Sequence, residues 1–167
     1  SIEILERTPA IFRALLQDLH DDWVKSNEGP ETFSPYDVIG HLVHGEKTDW
    51  TLRTKMILEF GNTKTFEKYD RFAQYEESKG KSLQQLLDEF AAIRKENMVW
   101  FKALNLTEDD LDKQGLHPVL GDVTLRHLLA TWVVHDLTHI AQITRVMAKQ
   151  YKSEMGPWTE FFRILNF

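Results

Sequence analysis

The stretch that most constrains this chain is "LRHLLATWVVHDLTHIAQITRVMAKQY", residues 125–151, which contains neither glycine nor proline. That length without a breaker predicts one long helix. Its apolar side runs through Leu125, Leu128 and Trp132, then Ile143 and Val146, in steps of three and four that line one face. The stripe has a gap between Trp132 and Ile143, and His135 and His139 fall inside it. Each residue turns a helix by about 100°, so side chains four apart lie nearly above one another and can share one ion. A buried imidazole left without a partner costs about 1–3 kcal/mol. Two core histidines bonded to carbonyls or carboxylates would avoid that cost. So would a metal, which takes one nitrogen of each ring.

Three further helical segments accompany this one. The first covers about 2–26 through Ile4, Leu5, Ile11, Phe12, Leu15, Leu16, Leu19 and Trp23, with Pro9 either kinking it or marking its start. "SPYD", residues 34–37, opens the second: Ser34 is the cap, Pro35 takes the first helical position and Asp37 is the reciprocal acid. It runs to about Phe60. Residues 61–81 form a polar connection with a helical turn or two, too long for a tight hairpin and long enough to permit a crossover. Ser82 and Gln85 make a second capping box for a helix reaching about Leu104, and Thr107 caps a short turn across "EDDL". Gly115, Pro118 and Gly121 make a loop or small hairpin that delivers the chain to Thr124, the expected cap of the last helix. Gly156 and Pro157 then stop regular structure, and the aromatic tail is expected to pack on the bundle. No strand period, repeat or linker competes with this pattern. The expected fold is all-α, a single four-helix-bundle domain over 1–167 with a long crossover connection and short additional helices.

Composition narrows the chemistry. The chain has 167 residues, enough for a core of its own, and no cysteine, so any metal must be held by histidine and carboxylate. A formal charge of −6 with no basic stripe argues against nucleic acid. No run approaches the roughly 20 apolar residues of a membrane span. The first residues lack the basic-then-apolar order of a secretory signal, and the expected compartment is the cytoplasm.

A stable site needs a third ligand. "GHLVHGE" near the start of the second helix offers His41, His44 and Glu46, and periodicity alone leaves His41 and His44 open, with Leu42 beside His41 and Gly45 four residues on tilting toward His41. Glu46 is the best acid/base candidate by chemistry, but about 140° of helical rotation separates it from His41. Asp37, one turn before His41, is either a partner for its ring or simply the acid of the helix start. Gln142 follows His139 by three and could meet a ligand of the metal. Trp50 and Trp132 could wall a pocket or serve as core. His20 in a charged run, His117 in a loop and His127 in a first helical turn read as surface or structural residues.

"FSPYDVIGHLVHGE", followed far downstream by "GDVTLRHLLATWVVHDLTHIAQITR", closely resembles the DinB/YfiT-like family over essentially the whole chain. The resemblance implies a four-helix-bundle metalloenzyme. Its motif, a Ser or Thr opening the second helix, a His seven residues on and H-x-x-x-H in the last helix, falls on Ser34, His41, His135 and His139, with Asp136 and Gln142 in fitting surroundings. His41, His135 and His139 are thereby the implied ligands of a divalent ion, zinc or nickel, and His44 is accessory. The family implies a thiol-dependent transferase acting on small electrophiles, with a low-molecular-weight thiol as cosubstrate. A metal-dependent hydrolase and a non-catalytic metal-binding stress-response module are the alternatives. The implied partners are a small-molecule substrate and, in a homodimer, a second copy of the chain.

Overall fold

The structure, a computed structural model, describes residues 2–166. Helix α1 (Ile2–Leu16) runs straight through Pro9. Proline brings no N–H, so the carbonyl of Leu5 loses the donor it would have had four residues on. Arg94 Nη1, at 2.8 Å, and the Thr8 hydroxyl, at 3.2 Å, take that place. The expected single helix over 2–26 is interrupted. Asp18 turns the chain at φ 61°, and a separate short helix α2 (Asp21–Lys25) starts behind His20, whose Nδ1 accepts from the amide of Asp22. The "HDD" run was the signal: two acids in a first turn suit the positive end of a helix.

The second segment is likewise divided, into α3 (Pro35–Thr48) and α4 (Trp50–Phe60). Asp49 departs from helical geometry at φ −117°, ψ −80°. Just before it, the Thr48 hydroxyl bonds back to the carbonyl of His44, an arrangement that bends helices. The start of α3 is as read: Ser34 and Asp37 cap each other reciprocally. After a 3-10 turn at Gly61–Thr63 comes α5 (Ala73–Ser78), which lies so close to α3 that a Cβ on Gly40 would meet Ser78 Oγ and Gln74 Oε1. Capping boxes also open α6 (Leu83–Ala103), α7 (Glu108–Leu111) and α8 (Leu125–Gln150), at Ser82, Thr107 and Thr124. The small hairpin forms from β1 (Gln114–His117) and β2 (Gly121–Thr124), antiparallel with Leu116 opposite Asp122. It is tied to the α4–α5 connection by a bridge between Thr65 and Leu116.

The principal contacts run from α1 to α6, α6 to α3, α3 and α4 to α8, and α8 back to α1. This is a four-helix bundle in which α1 and α3 face across a diagonal, as do α6 and α8. The connection at 61–81, whose length permits a crossover, joins neighbours. The diagonal steps fall to 17–34, with α2, and to 104–124, with α7 and the hairpin.

Two apolar clusters fill the bundle. One holds Phe12, Leu16, Val38, Ile39, Leu42, Leu86, Phe90 and Ile143; the other holds Leu5, Trp50, Ile57, Met98, Leu125, Leu128 and Trp132. Every long helix passes from one cluster to the other and places a polar residue at the join: Thr8 between Leu5 and Phe12, Glu46 between Val43 and Trp50, Arg94 between Phe90 and Met98, and Asp136 with His139 between Trp132 and Ile143. The bundle therefore has a polar waist.

The tail departs from expectation. Two 3-10 turns, Gly156–Phe161 and Arg163–Leu165, bury Leu165, but Trp158 and Phe161 remain 66% and 75% exposed. Residues three apart eclipse in a 3-10 turn, so these two rings share one face, and it looks away from the bundle. Phe167 lies outside the described residues. Among those residues no helix is long and apolar enough to cross a membrane.

Candidate metal centre

At the waist, α3 and α8 bring three imidazoles to one point. His135 Nε2 lies 3.1 Å from His41 Nε2 and 3.1 Å from His139 Nε2. The candidate ligand atoms of the three residues all lie within 4.8 Å of one another. A separation near 3 Å is what neighbouring donors adopt around an ion with metal–nitrogen bonds of about 2.0–2.1 Å. Among the described residues this is the one cluster of histidines and carboxylates with that geometry.

The rings are in the form a metal requires. Burial pushes His41 down to about 3 and His135 to about 2, each with help from neighbouring imidazoles. Burial lowers His139 too, against the opposing pull of Gln142 and Asp136. All three are neutral at pH 7, and neutral imidazole is the ligating species. The outer nitrogens are partly engaged. His139 Nδ1 donates to Gln142 Oε1 at 2.8 Å, which leaves the lone pair on Nε2. His41 Nδ1 lies 3.2 Å from the Tyr69 hydroxyl. His135 Nδ1 is buried with no hydrogen-bond partner among the described residues. Three Nε2 atoms converge, that of His139 fixed as a lone pair by Gln142, and a divalent cation fits that donor set.

Trp50 and Trp132 flank the cluster, stacked at 5.8 Å and tilted by 10°, with the Trp50 ring 5.1 Å from that of His135. On the other side of His135 a groove of about 380 Å³, lined by Ala130, Thr131, Val134 and Thr138, opens along α8. A cavity of about 550 Å³ between α1 and α6 reaches Arg94 but none of the three histidines.

The remaining sequence candidates fall elsewhere. Glu46 is 2% exposed, and its carboxylate is fully engaged: Oε1 accepts from Arg94 Nη2 at 2.8 Å and Trp132 Nε1 at 2.9 Å, and Oε2 from Asn97 at 2.9 Å. Its carboxylate is paired within the core by Arg94, Trp132 and Asn97, and it is not among the residues that meet the imidazoles. Gln142 meets His139 itself, so it orients a ring where contact with a ligand of the metal had been considered. Asp37 is the helix-start acid and not a partner of His41. His44 turns to Glu77, at 2.8 Å. Asp136, and not His135, continues the buried stripe with His139: it is 0% exposed and binds Arg94 through both oxygens, at 2.6 and 3.1 Å.

Sequence reading missed Tyr69, Arg94, Thr8 and Asn97. Arg94 had a visible signal, a charge midway between Phe90 and Met98 on an apolar stripe. Tyr69 had none, being one aromatic among several in an irregular connection.

The model of the DinB superfamily matches residues 4–143, and the chain belongs to that family. Among solved structures it is similar to YfiT from Bacillus subtilis, described as a probable metal-dependent hydrolase with an unusual four-helix bundle topology. The two share 22% identity at a TM-score of 0.76, covering 89% of this chain and 85% of that one. The comparison with curated proteins finds no match.

Proposed function

We propose that this member of the DinB superfamily is a divalent-metal-dependent enzyme acting on a small molecule, with His41, His135 and His139 as the ligands. The observation that carries the reading is the meeting of three neutral imidazoles, His135 Nε2 lying 3.1 Å from Nε2 of both His41 and His139, beside a groove that reaches His135. Zinc or nickel suits such a donor set. A divalent ion there would supply Lewis acidity, lowering the pKa of a thiol or water in an open position. The chain's own part is to hold the rings, through Gln142 and Tyr69, and to exclude water from one flank with Trp50 and Trp132.

The nucleophile we propose is a low-molecular-weight thiol. Glu46 and Asp136 are both committed to Arg94, and no carboxylate among the described residues joins the imidazole cluster to accept a proton from water. A thiol is acidic enough to ionise without such a base. Its sulfur would bond to the electrophilic carbon of the substrate as the leaving group departs with the bonding pair. Hydrolysis is the second reading, supported by the description of YfiT.

Elemental analysis of protein purified without added metal tests the site. One ion per chain is expected, lost in His41→Ala, His135→Ala and His139→Ala and kept in His44→Ala; equal retention in all four overturns the assignment. Metal-loaded protein is then given an aryl halide or epoxide with glutathione, bacillithiol, mycothiol or cysteine. Saturable conjugation with one thiol, abolished in His139→Ala, is the expected result. Thiol-independent ester or amide cleavage with the same dependence would replace transfer with hydrolysis.

A further inference from the structure

A second cavity, of about 330 Å³, is walled by α4, the hairpin and the first turns of α8. Its body is apolar: Trp50, Phe66, Leu120, Val123 and Leu128. Its polar groups are all contributed by Asp49, Arg53, His117, His127 and Thr131. All of them but Asp49, an acceptor, can donate. Arg53 Nε forms an ion pair with Asp49 Oδ1 at 2.8 Å, although that oxygen accepts no hydrogen bond among the described residues and burial, against the pull of Arg53, raises the carboxyl above its usual range. The other edge, Nη1 and Nη2, donates no hydrogen bond among the described residues, although the side chain is only 12% exposed and its plane is held 5.3 Å from the Phe66 ring.

The two histidines have fixed tautomers. His117 Nδ1 accepts the backbone amides of Val119 and Leu120, both at 3.1 Å, and His127 Nδ1 accepts the amide of Thr124 at 3.3 Å. A ring nitrogen that accepts an N–H carries no proton, so in each neutral ring the proton sits on Nε2. The wall of the cavity thus carries, beside an apolar chamber, two rings protonated on Nε2, that of His127 exposed to solvent, and the guanidinium of Arg53.

We propose that this cavity binds a small molecule with an apolar body and a carboxylate, the carboxylate held by the Nη edge of Arg53 and the Nε2–H groups of His117 and His127. A planar fork of N–H donors matches a carboxylate in two-point contact, and an unpaired guanidinium edge in a mostly buried position is answered by such a ligand. Leu120, at the tip of the hairpin and 72% exposed, stands at the mouth, where a bound apolar group would cover it. Trp50 is a common wall with the imidazole cluster, and Thr131 lines both this cavity and the groove that reaches His135. The carboxylate clamp does not depend on the metal reading above.

Phenylacetate and its uncharged analogue phenylacetamide are suitable probes, their binding to the full chain followed by titration calorimetry and ligand-observed NMR. Phenylacetate is expected to bind and the amide to bind on the order of tenfold more weakly. Arg53→Met should remove that preference. Because Arg53 also answers Asp49, two further variants keep the test independent of folding: Asp49→Asn/Arg53→Met, which removes both charges together, and Leu120→Glu, which sets a like charge at an exposed mouth position and should weaken phenylacetate alone. His139→Ala should lose its metal and keep phenylacetate binding, which separates this proposal from the metal reading. Equal affinity for acid and amide in the wild type, or unchanged phenylacetate affinity in folded Arg53 variants and in Leu120→Glu, would overturn it.

Discussion

Two sets of polar side chains are buried at the same waist, and they are built on opposite terms. Around Arg94 the chain answers its own charges. Nη1 meets Asp136, Thr8 and the carbonyl of Leu5, Nη2 meets Glu46 and Asp136, and Trp132 and Asn97 complete Glu46. Within this set, only Arg94 Nε lacks a hydrogen-bond partner among the described residues. One turn away, three imidazoles point the same kind of atom at one another, and no cationic side chain among the described residues joins them. A buried polar set that closes on itself is architecture, because satisfying every member is what makes its burial tolerable. A set that converges and does not close is a place for something else. That contrast separates Glu46 and Asp136 from the site more firmly than their nearness in sequence to the histidines joins them to it.

The largest effect should come from breaking the closed set. Arg94→Met leaves two carboxylates buried together, which costs about 3–5 kcal/mol. For a domain of this size that is a fall in Tm of roughly 10 °C or more. Chelator-treated His139→Ala should fall much less against chelator-treated wild type, since it opens a set that was never closed. Differential scanning calorimetry of the two variants decides the matter. Equal falls would mean that the distinction between architecture and site has no energetic content.

How much of this was legible beforehand follows from the same contrast. The caps at Ser34, Ser82, Thr107 and Thr124 were readable because each is a local bargain between residues three apart. The pair His135 and His139 was readable because helical spacing alone brings the rings together. The meeting of that pair with His41 was not, since it depends on where α3 lies against α8. The residues alone left His44 open, and only the family resemblance chose. The breaks at Asp18 and Asp49 escaped because apolar periodicity continues through both, while a turn at φ 61° and a threonine bonding back to its own helix leave the pattern of side chains intact. The pairing of Glu46 was not legible because its partners come from α6 and α8, with Arg94 and Trp132 standing 48 and 86 residues away along the chain. Nothing local announces such partners.

A smaller effect should follow from loosening the open set without removing a ligand. Gln142→Leu deprives His139 Nδ1 of its acceptor, so the ring loses both its orientation and part of its basicity. Substitutions of this kind cost about 10–100-fold in metal affinity. Tyr69→Phe, which removes the hydroxyl beside His41 Nδ1, should act in the same direction. Competition with a chromophoric chelator measures both. Thermal unfolding of the metal-free variants should stay within about 2 °C of wild type, because neither side chain belongs to the closed set. A large loss of metal-free stability in Gln142→Leu would place that residue with the architecture instead.

The smallest effect belongs to a third polar set, closed like that of Arg94 but placed at the surface. Glu28, in the connection between α2 and α3, takes Arg145 at 2.6 and 2.8 Å and Lys149 at 2.7 Å, both from α8. The hydrogen bond from Arg145 is the main cause that holds its carboxyl down at about 2, against the cost of burial and with Lys149 adding to the pull. The folded pKa lies below the unfolded value, so the stabilisation is fully present above about pH 4.5 and is lost as pH falls from there through 2. Because solvent reaches the pair, its worth is on the order of 1 kcal/mol, well under the cost of opening the buried set. Glu28→Gln should therefore be slightly less stable than wild type in urea at pH 7, and the two should converge as the pH approaches 2. Taking the difference between the chains cancels every other group that titrates in that range. A gap at neutral pH as large as that of Arg94→Met would show that closure alone, and not burial, sets the energy of these networks; a gap that persisted unchanged at pH 2 would show that Glu28 acts through its shape and not its charge.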